Sequence, residues 1–326
     1  MTSSGTKDGI GTVAPTIVGE SSAMKAALRA AEQFAESRMP MLLVGDTGTG
    51  KELLAQHIHY HSGRSGPLVD VDCAALPRNL VEGLLFGRRR GAYTGAHDSA
   101  RGLVEEADGG TLFLDELSSL PAAGQRKLLR VLETRRVRRL GDGNTRHIDF
   151  RLVAAAQGDL ADKVRRGEFR LDLYQRVAGV VIDLPALSER ANDIVLLAAH
   201  FARHLGLTLA REIRGLLVSR PWPGNVRELR TTIERAGHLA TDGVIDAETL
   251  IQSLQLGPPD LNGVKSSEEL HTARRKLLAV CERYDRNAER IAGALGIGRA
   301  TLYRRLSELG IVLKRNGSND LGPTTE

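Results

Sequence analysis

Short apolar runs at residues 41–44, 68–71, 111–114, 152–156 and 180–184 punctuate the first half of the chain, with helical patterns between them. Each run is bounded by Gly, Asp or Pro, as buried parallel strands are. The strand–helix alternation predicts a doubly wound parallel α/β domain. Residues 135–150 depart from it: Arg-Arg-Val-Arg-Arg-Leu, then Gly-Asp-Gly-Asn, then Thr-Arg-His-Ile-Asp-Phe reads as a hairpin. From residue 188 the pattern turns helical, at 193–204, 209–219, 225–239 and 245–254. Residues 256–264 hold two prolines and two glycines and read as linker. A second helical stretch runs over 267–311. The expected division is a disordered lead (1–16), an α/β subdomain (17–187), a helical subdomain (188–255), a linker (256–267), an all-α domain (268–315) and a polar tail (316–326).

The composition is that of a soluble globular protein, with 41% hydrophobic and 26% charged residues in 326. Aromatics at 4% are too sparse for a β-sandwich. No apolar run approaches the ~18 residues of a membrane span, and residues 1–14 lack the apolar core of a signal peptide. Cys73 and Cys281 have no partners at metal-ligand spacing, which fits a reducing, cytoplasmic location. The net charge of +5 is unevenly placed: residues 265–315 carry 12 Lys/Arg against 6 Asp/Glu, leaving the rest near neutral. A basic C-terminal segment on a neutral body points to a nucleic-acid module.

Gly45-Asp46-Thr47-Gly48-Thr49-Gly50-Lys51 follows the first apolar run and precedes a helical pattern. That is the strand–loop–helix context of a phosphate loop. Its glycines let backbone N–H groups curl round phosphates, the helix N-terminus adds positive potential, and Lys51 neutralises a γ-phosphate. Glu52 stands where many such loops carry Ser or Thr for Mg2+. The run at 111–114 ends in Asp115-Glu116; with a phosphate loop upstream, Asp115 is the expected Mg2+ ligand and Glu116 the group that polarises the attacking water. Between these halves of an ATP site lies Gly91-Ala92-Tyr93-Thr94-Gly95-Ala96, a pliant insertion with one aromatic and one hydroxyl to grip with. His57 and His61 share a helix face, but no Glu or Cys completes a metal set, so both read as solvent-edge residues.

Together these residues resemble the AAA+ domain of bacterial sigma-54-dependent transcription activators, or bacterial enhancer-binding proteins. The likeness extends over residues 17–315. That family's phosphate loop ends in Gly-Lys-Glu, as Gly50-Lys51-Glu52 does. Its Gly-Ala-Phe-Thr-Gly-Ala loop is matched by residues 91–96 with Tyr93 for Phe. Phe169-Arg170-Leu-Asp-Leu-Tyr-Gln-Arg176-Val, the block 184–194 and Pro221-Trp-Pro-Gly-Asn-Val-Arg227-Glu-Leu match its later motifs. The resemblance implies a hexameric ring with ATP between subunits. Arg170 and Arg176 would reach the neighbour's γ-phosphate in trans, and Arg227 would report nucleotide state to the lid. It also implies that residues 91–96 contact sigma-54 and remodel the closed promoter complex of the polymerase holoenzyme. Arg88–Arg90 and the basic hairpin read equally as solvated charge or as promoter contacts. Two positions depart from the family: Asp72 replaces an Asn that restrains the catalytic glutamate, and Ala156-Gln157 replaces the Thr-Asn of the first sensor. Both imply a slower or differently gated ATPase. No receiver or ligand-sensing segment precedes residue 17, so control falls to a regulatory protein acting in trans, or this chain is part of a longer one.

Residues 287–309 read as helix, tight turn, helix, and 294–306 resemble the family's Fis-like helix-turn-helix. Arg299, Ala300, Thr301, Tyr303, Arg304 and Arg305 are the expected DNA-binding positions, with Arg299 and Ala300 near base edges and Arg304 and Arg305 at phosphates. The preceding helix would pair subunits as dimers on enhancer DNA. The leading reading is thus an ATP-driven activator of sigma-54 polymerase. The alternative is a DNA-binding repressor on the same scaffold with little remodelling activity. A replication or helicase-loading ATPase is a third class, and would lack the hexapeptide.

Overall fold

A computed structural model of the chain describes residues 15–92, 98–158 and 160–257, with Tyr284 and Ile291 beyond them. The chain divides into two compact units at Gly257/Pro258. The helix-turn-helix residues Arg299, Ala300, Thr301, Tyr303, Arg304 and Arg305 lie outside the described residues, as do Tyr93, Thr94, Gly95 and Ala96.

The first unit opens with α1 (Ser22–Gln33), β1 (Met41–Val44), α2 (Lys51–His61) and β2 (Leu68–Asp72). Then come α3 (Val81–Phe86), α4 (Leu103–Glu106), β3 (Thr111–Asp115) and α5 (Ala122–Thr134). The short strands β4 (Arg136–Val137) and β5 (Arg146–His147) precede β6 (Arg151–Ala156), α6 (Leu160–Arg165), α7 (Leu171–Val177) and β7 (Val180–Asp183). Five strands form one sheet in the order β2-β3-β6-β1-β7, every pairing parallel. Both faces are covered, so the central strand β6 is buried at all of its positions and does not alternate. Its one charged residue, Arg151, is stabilised by donating to the carbonyls of Ser37 and of Phe34 (2.7 Å), which ties the α1–β1 connection down. Burial lowers the Arg151 pKa to about 10. The expected hairpin at 135–150 is present as the antiparallel pair β4–β5, two residues per strand.

The helical part holds α8 (Ala191–His204), β8 (Thr208–Leu209), α9 (Ile213–Ser219), α10 (Asn225–Leu239), β9 (Val244–Ile245) and α11 (Ala247–Gln255). The helix expected from residue 209 begins four residues later, because Thr208 and Leu209 pair with Val244 and Ile245 as a short parallel ladder. Asp246 caps α11 by accepting the Thr249 N–H at 2.9 Å. Trp222 fills the lid core with its indole N–H donated to the Leu217 carbonyl at 2.7 Å, a packing role.

Candidate nucleotide site

The sheet presents the carboxyl ends of β1 and β3 at one edge, where ligands bind in open α/β folds. β1 runs into the glycine loop, and the loop into α2. Gly50 caps α2 with no side chain, at φ +106°, so the first N–H groups of the helix are left for an anion. Gly48, at φ +79°, passes so close to the lid that a Cβ there would lie 2.4 Å from the Gly224 carbonyl oxygen. The buried Lys51 ammonium donates to the carbonyls of Gly45 (2.7 Å) and Asp46 (3.0 Å). Burial pushes its pKa down, while Asp115, Glu116 and Asp46 pull it up.

Asp115 ends β3 and accepts the Glu116 N–H at 2.8 Å. Glu116 then turns off the strand at φ +48°, a left-handed conformation uncommon outside glycine. Its carboxylate accepts from the Gln157 amide at 3.1 Å, and the same amide donates to the Thr47 hydroxyl at 2.9 Å. Gln157, at the end of β6, thus joins the phosphate loop to the carboxylate. Asp72 sits opposite Asp115 in the β2–β3 register, but its carboxylate caps its own turn, accepting the Ala74 N–H at 2.8 Å. The amide that bonds Glu116 belongs to Gln157. Glu52, Asp115 and Asp72 crowd Asp70, whose pKa is raised by burial first and then by these neighbours. Such an acidic field, with Asp115 at the cleft, fits a hard divalent cation such as Mg2+.

The lid closes the other wall. Val226 donates its N–H to the Gly48 carbonyl (3.0 Å), and the Asn225 amide donates to the Thr47 carbonyl (3.0 Å). Arg190, buried and with its pKa lowered by that burial, donates to the Thr49 carbonyl at 2.9 Å. Asp193 accepts the N–H groups of Glu20 (2.7 Å) and Ser21 (3.0 Å) and the Ser21 hydroxyl (2.7 Å), which docks α1 on the lid. The resulting cleft is about 670 Å³, within the range of small-molecule sites. Thr47 to Glu52, Asp72, Asp115, Glu116 and Arg227 line it, as does Thr16 from the segment expected to be disordered. Arg190, Asp193 and Asn225 were not singled out from sequence. They belong to motif blocks, but nothing local marks them as buried polar anchors.

Arg170 and Arg176 do not line this cleft. Both are exposed on the α7 region. Arg170 forms a bidentate pair with Asp172 (3.0 and 2.6 Å), and Arg176 donates to the Leu132 carbonyl (3.2 Å). Gly91 and Ala92 top a stem in which Arg88 and Ala100 pair antiparallel. At its base a Cβ on Gly102 would meet the Gly87 nitrogen at 2.3 Å, so the two arms cross where only glycine fits. The stem leans on the basic hairpin: Arg89 donates its N–H to the Leu140 carbonyl (2.9 Å), and Arg139 pairs with buried Glu105 through two 2.6 Å bonds. One expectation is corrected here. A carboxylate does join the histidine pair, since Glu32 of α1 reaches His57 at 3.1 Å.

A parallel α/β phosphate-loop domain with a helical lid packed on the loop is the AAA+ architecture. Residues 17–183 match the model of the sigma-54 interaction domain, and residues 188–266 match that of the AAA+ ATPase lid domain. The chain belongs to the sigma-54 interaction domain family, the AAA+ ATPases of sigma-54-dependent transcription activators. It is 40% identical over 300 residues to the transcriptional regulatory protein ZraR of Escherichia coli (strain K12), covering 89% of this chain and 68% of that protein. Over 312 residues it is 38% identical to the regulatory protein AtoC of the same organism, covering 90% and 68%. Among solved structures, NtrX from Brucella abortus in complex with ATP aligns with a TM-score of 0.66 at 30% identity, covering 90% of this chain and 69% of that one.

Proposed function

We propose that the cleft binds ATP with Mg2+ and that its hydrolysis drives remodelling of the sigma-54 polymerase closed complex into the open complex. The observation that carries this reading is convergence on one cleft: a phosphate loop, the Asp115–Glu116 pair held by Gln157, and a lid arginine, Arg227. Bound Mg2+ supplies charge neutralisation on the phosphates and orientation of the γ-phosphoryl group. Asp115 holds the cation. Lys51 exchanges its two loop carbonyls for phosphate oxygens. Glu116 orients the attacking water, and Gln157 keeps that carboxylate in register with the loop. Arg227 senses the nucleotide across the lid.

Arg170 and Arg176 are proposed to serve a neighbouring subunit, because both are exposed and neither lines the cleft of its own chain. A ring is the closed assembly that places such residues in trans. The hexapeptide on its stem is the sigma-54 contact, and the C-terminal segment binds enhancer DNA as a dimer. The domain boundaries at 187/188 and 255/256 divide the motor from its lid and the lid from the linker.

The experiment is open-complex formation by purified sigma-54 holoenzyme on a promoter carrying the upstream site, with ATP or a non-hydrolysable analogue. Opening with ATP alone, and its loss in Glu116→Gln, is the expected result. Occupancy of the DNA without opening favours the second reading, a DNA-binding regulator with weak remodelling. That reading has its own observation: the Asp72 carboxylate is turned to its own turn, and Ala156 offers no hydroxyl to a phosphate.

A further inference from the structure

We infer that Glu32, His57 and His61 form a binding site for a borderline divalent transition ion such as Zn2+, separate from the Mg2+-nucleotide site. His57 and His61 are one helical turn apart near the end of α2, and Glu32 comes from the last turn of α1. One donor atom from each of the three lies within 4.8 Å of the others. Among the described residues this is the group of three His, Cys or carboxylate donors that converges so closely.

The spacing is close to what an ion needs. Four ligands about 2.0–2.1 Å from a tetrahedral ion sit roughly 3.3 Å from one another. Glu32 Oε1 and His57 Nε2 are already 3.1 Å apart. The two imidazole rings face each other with centroids 4.3 Å apart and planes tilted by 52°. A rotation of the exposed His61 side chain closes the remaining gap.

A second observation separates this cluster from an ordinary ion pair. His57 is largely buried, with its side chain 12% exposed, and it is Nε2 that is turned to Glu32. A Glu32–His57 pair alone accounts for two of the three converging donors and leaves His61 unexplained. His59, between them in sequence, is committed elsewhere: its Nδ1 bonds the Thr111 hydroxyl at 2.9 Å. Two imidazoles and one carboxylate, with a fourth position open to water, suit Zn2+, Co2+ or Ni2+ and not Mg2+ or Ca2+, which prefer all-oxygen sets. The ion would staple α1 to α2. Met24 of α1 and Lys51 and Gln56 of α2 line the nucleotide cleft, so the staple joins two helices that flank it.

The test uses the untagged full chain, stripped of metal with a chelator and free of nucleotide. Co2+ is titrated and its visible absorption followed, with Zn2+ displacing it in calorimetry. One equivalent of Co2+ in a four- or five-coordinate environment is expected. His61→Ala and Glu32→Gln should each weaken binding by at least about tenfold, the low end of what losing a mere outer partner costs a metal site. Both residues are exposed, so the metal-free variants should melt with the wild type. Asp115→Asn, which removes the proposed Mg2+ carboxylate, should keep the cobalt spectrum. Equal binding by His61→Ala and wild type, loss of the spectrum in Asp115→Asn, or no saturable binding by wild type below millimolar Co2+ each overturns the site.

Discussion

Replacing Gln157 by Ala tests how Glu116 is held. The wild-type amide donates to the Glu116 carboxylate at 3.1 Å and to the Thr47 hydroxyl at 2.9 Å. A hydrogen bond to a charged group is worth about 1.5–3 kcal/mol. If that bond keeps Glu116 placed for water activation, its loss corresponds to a fall in kcat of roughly 10- to 100-fold. Gln157 itself is not among the residues lining the cleft, so KM for ATP should stay within about threefold, as expected when uniform binding is untouched. Gln157→Asn, one methylene shorter, cannot span both partners and should fall between wild type and Ala. Gln157→Glu should be worse than Ala at neutral pH, because two carboxylates about 3 Å apart repel strongly in a partly desolvated cleft. Steady-state ATPase assays over a range of ATP concentrations measure each constant. The reasoning is refuted if Gln157→Ala turns over within twofold of wild type, or if its defect lies wholly in KM.

Three further outcomes are expected. Tyr93→Phe should open promoters at close to the wild-type rate, and Tyr93→Ala should not, because the ring supplies the apolar area of a hot-spot contact; open-complex yield with sigma-54 holoenzyme decides it. Gly48→Ala places a Cβ 2.4 Å from the Gly224 carbonyl at φ +79°; the strain should cost about 1–3 kcal/mol in thermal unfolding and separate the lid from the phosphate loop, with nucleotide affinity falling at least tenfold. Burial, and then Arg64, holds the His59 pKa below its ordinary 6.5, so the unfolded chain binds this proton more readily. The stabilising contribution is therefore complete above pH 6.5 and lost as pH falls from there through the lower folded value; Tm against pH should be flatter in His59→Gln, and an unchanged slope would count against it.

Local chemistry was readable in the chain and distant partnership was not. The phosphate loop announces itself because strand, glycines, lysine and helix are contiguous, and Asp115-Glu116 because a buried strand ends there. The strands at 41–44, 68–72, 111–115, 151–156 and 180–183 fall within a residue of the apolar runs. By contrast, Leu209 looked helical because its ladder partner, Ile245, stands 36 residues away. Arg190 and Asn225 sit in plain motif blocks, yet Arg190 Nη2 and the Asn225 amide donate to the carbonyls of Thr49 and Thr47, 141 and 178 residues distant. Glu32 precedes His57 by 25 residues in sequence, so no spacing rule joins it to the histidines.

The sequence by itself determined the class of domain, the nucleotide chemistry and the family, because each rests on short contiguous motifs whose backbone requirements are local. Tertiary structure decided how those motifs are wired. Parallel pairing of β2 with β3 sets Asp72 opposite Asp115, yet the Asp72 side chain is spent on its own turn. The end of β6 carries Gln157 across to Glu116 and Thr47. Lid packing turns Arg190, Asn225 and Val226 onto the phosphate loop. Which hydrogen bond a buried polar group makes depends on what the fold brings within 3 Å of it, and that is a property of packing, not of any one segment.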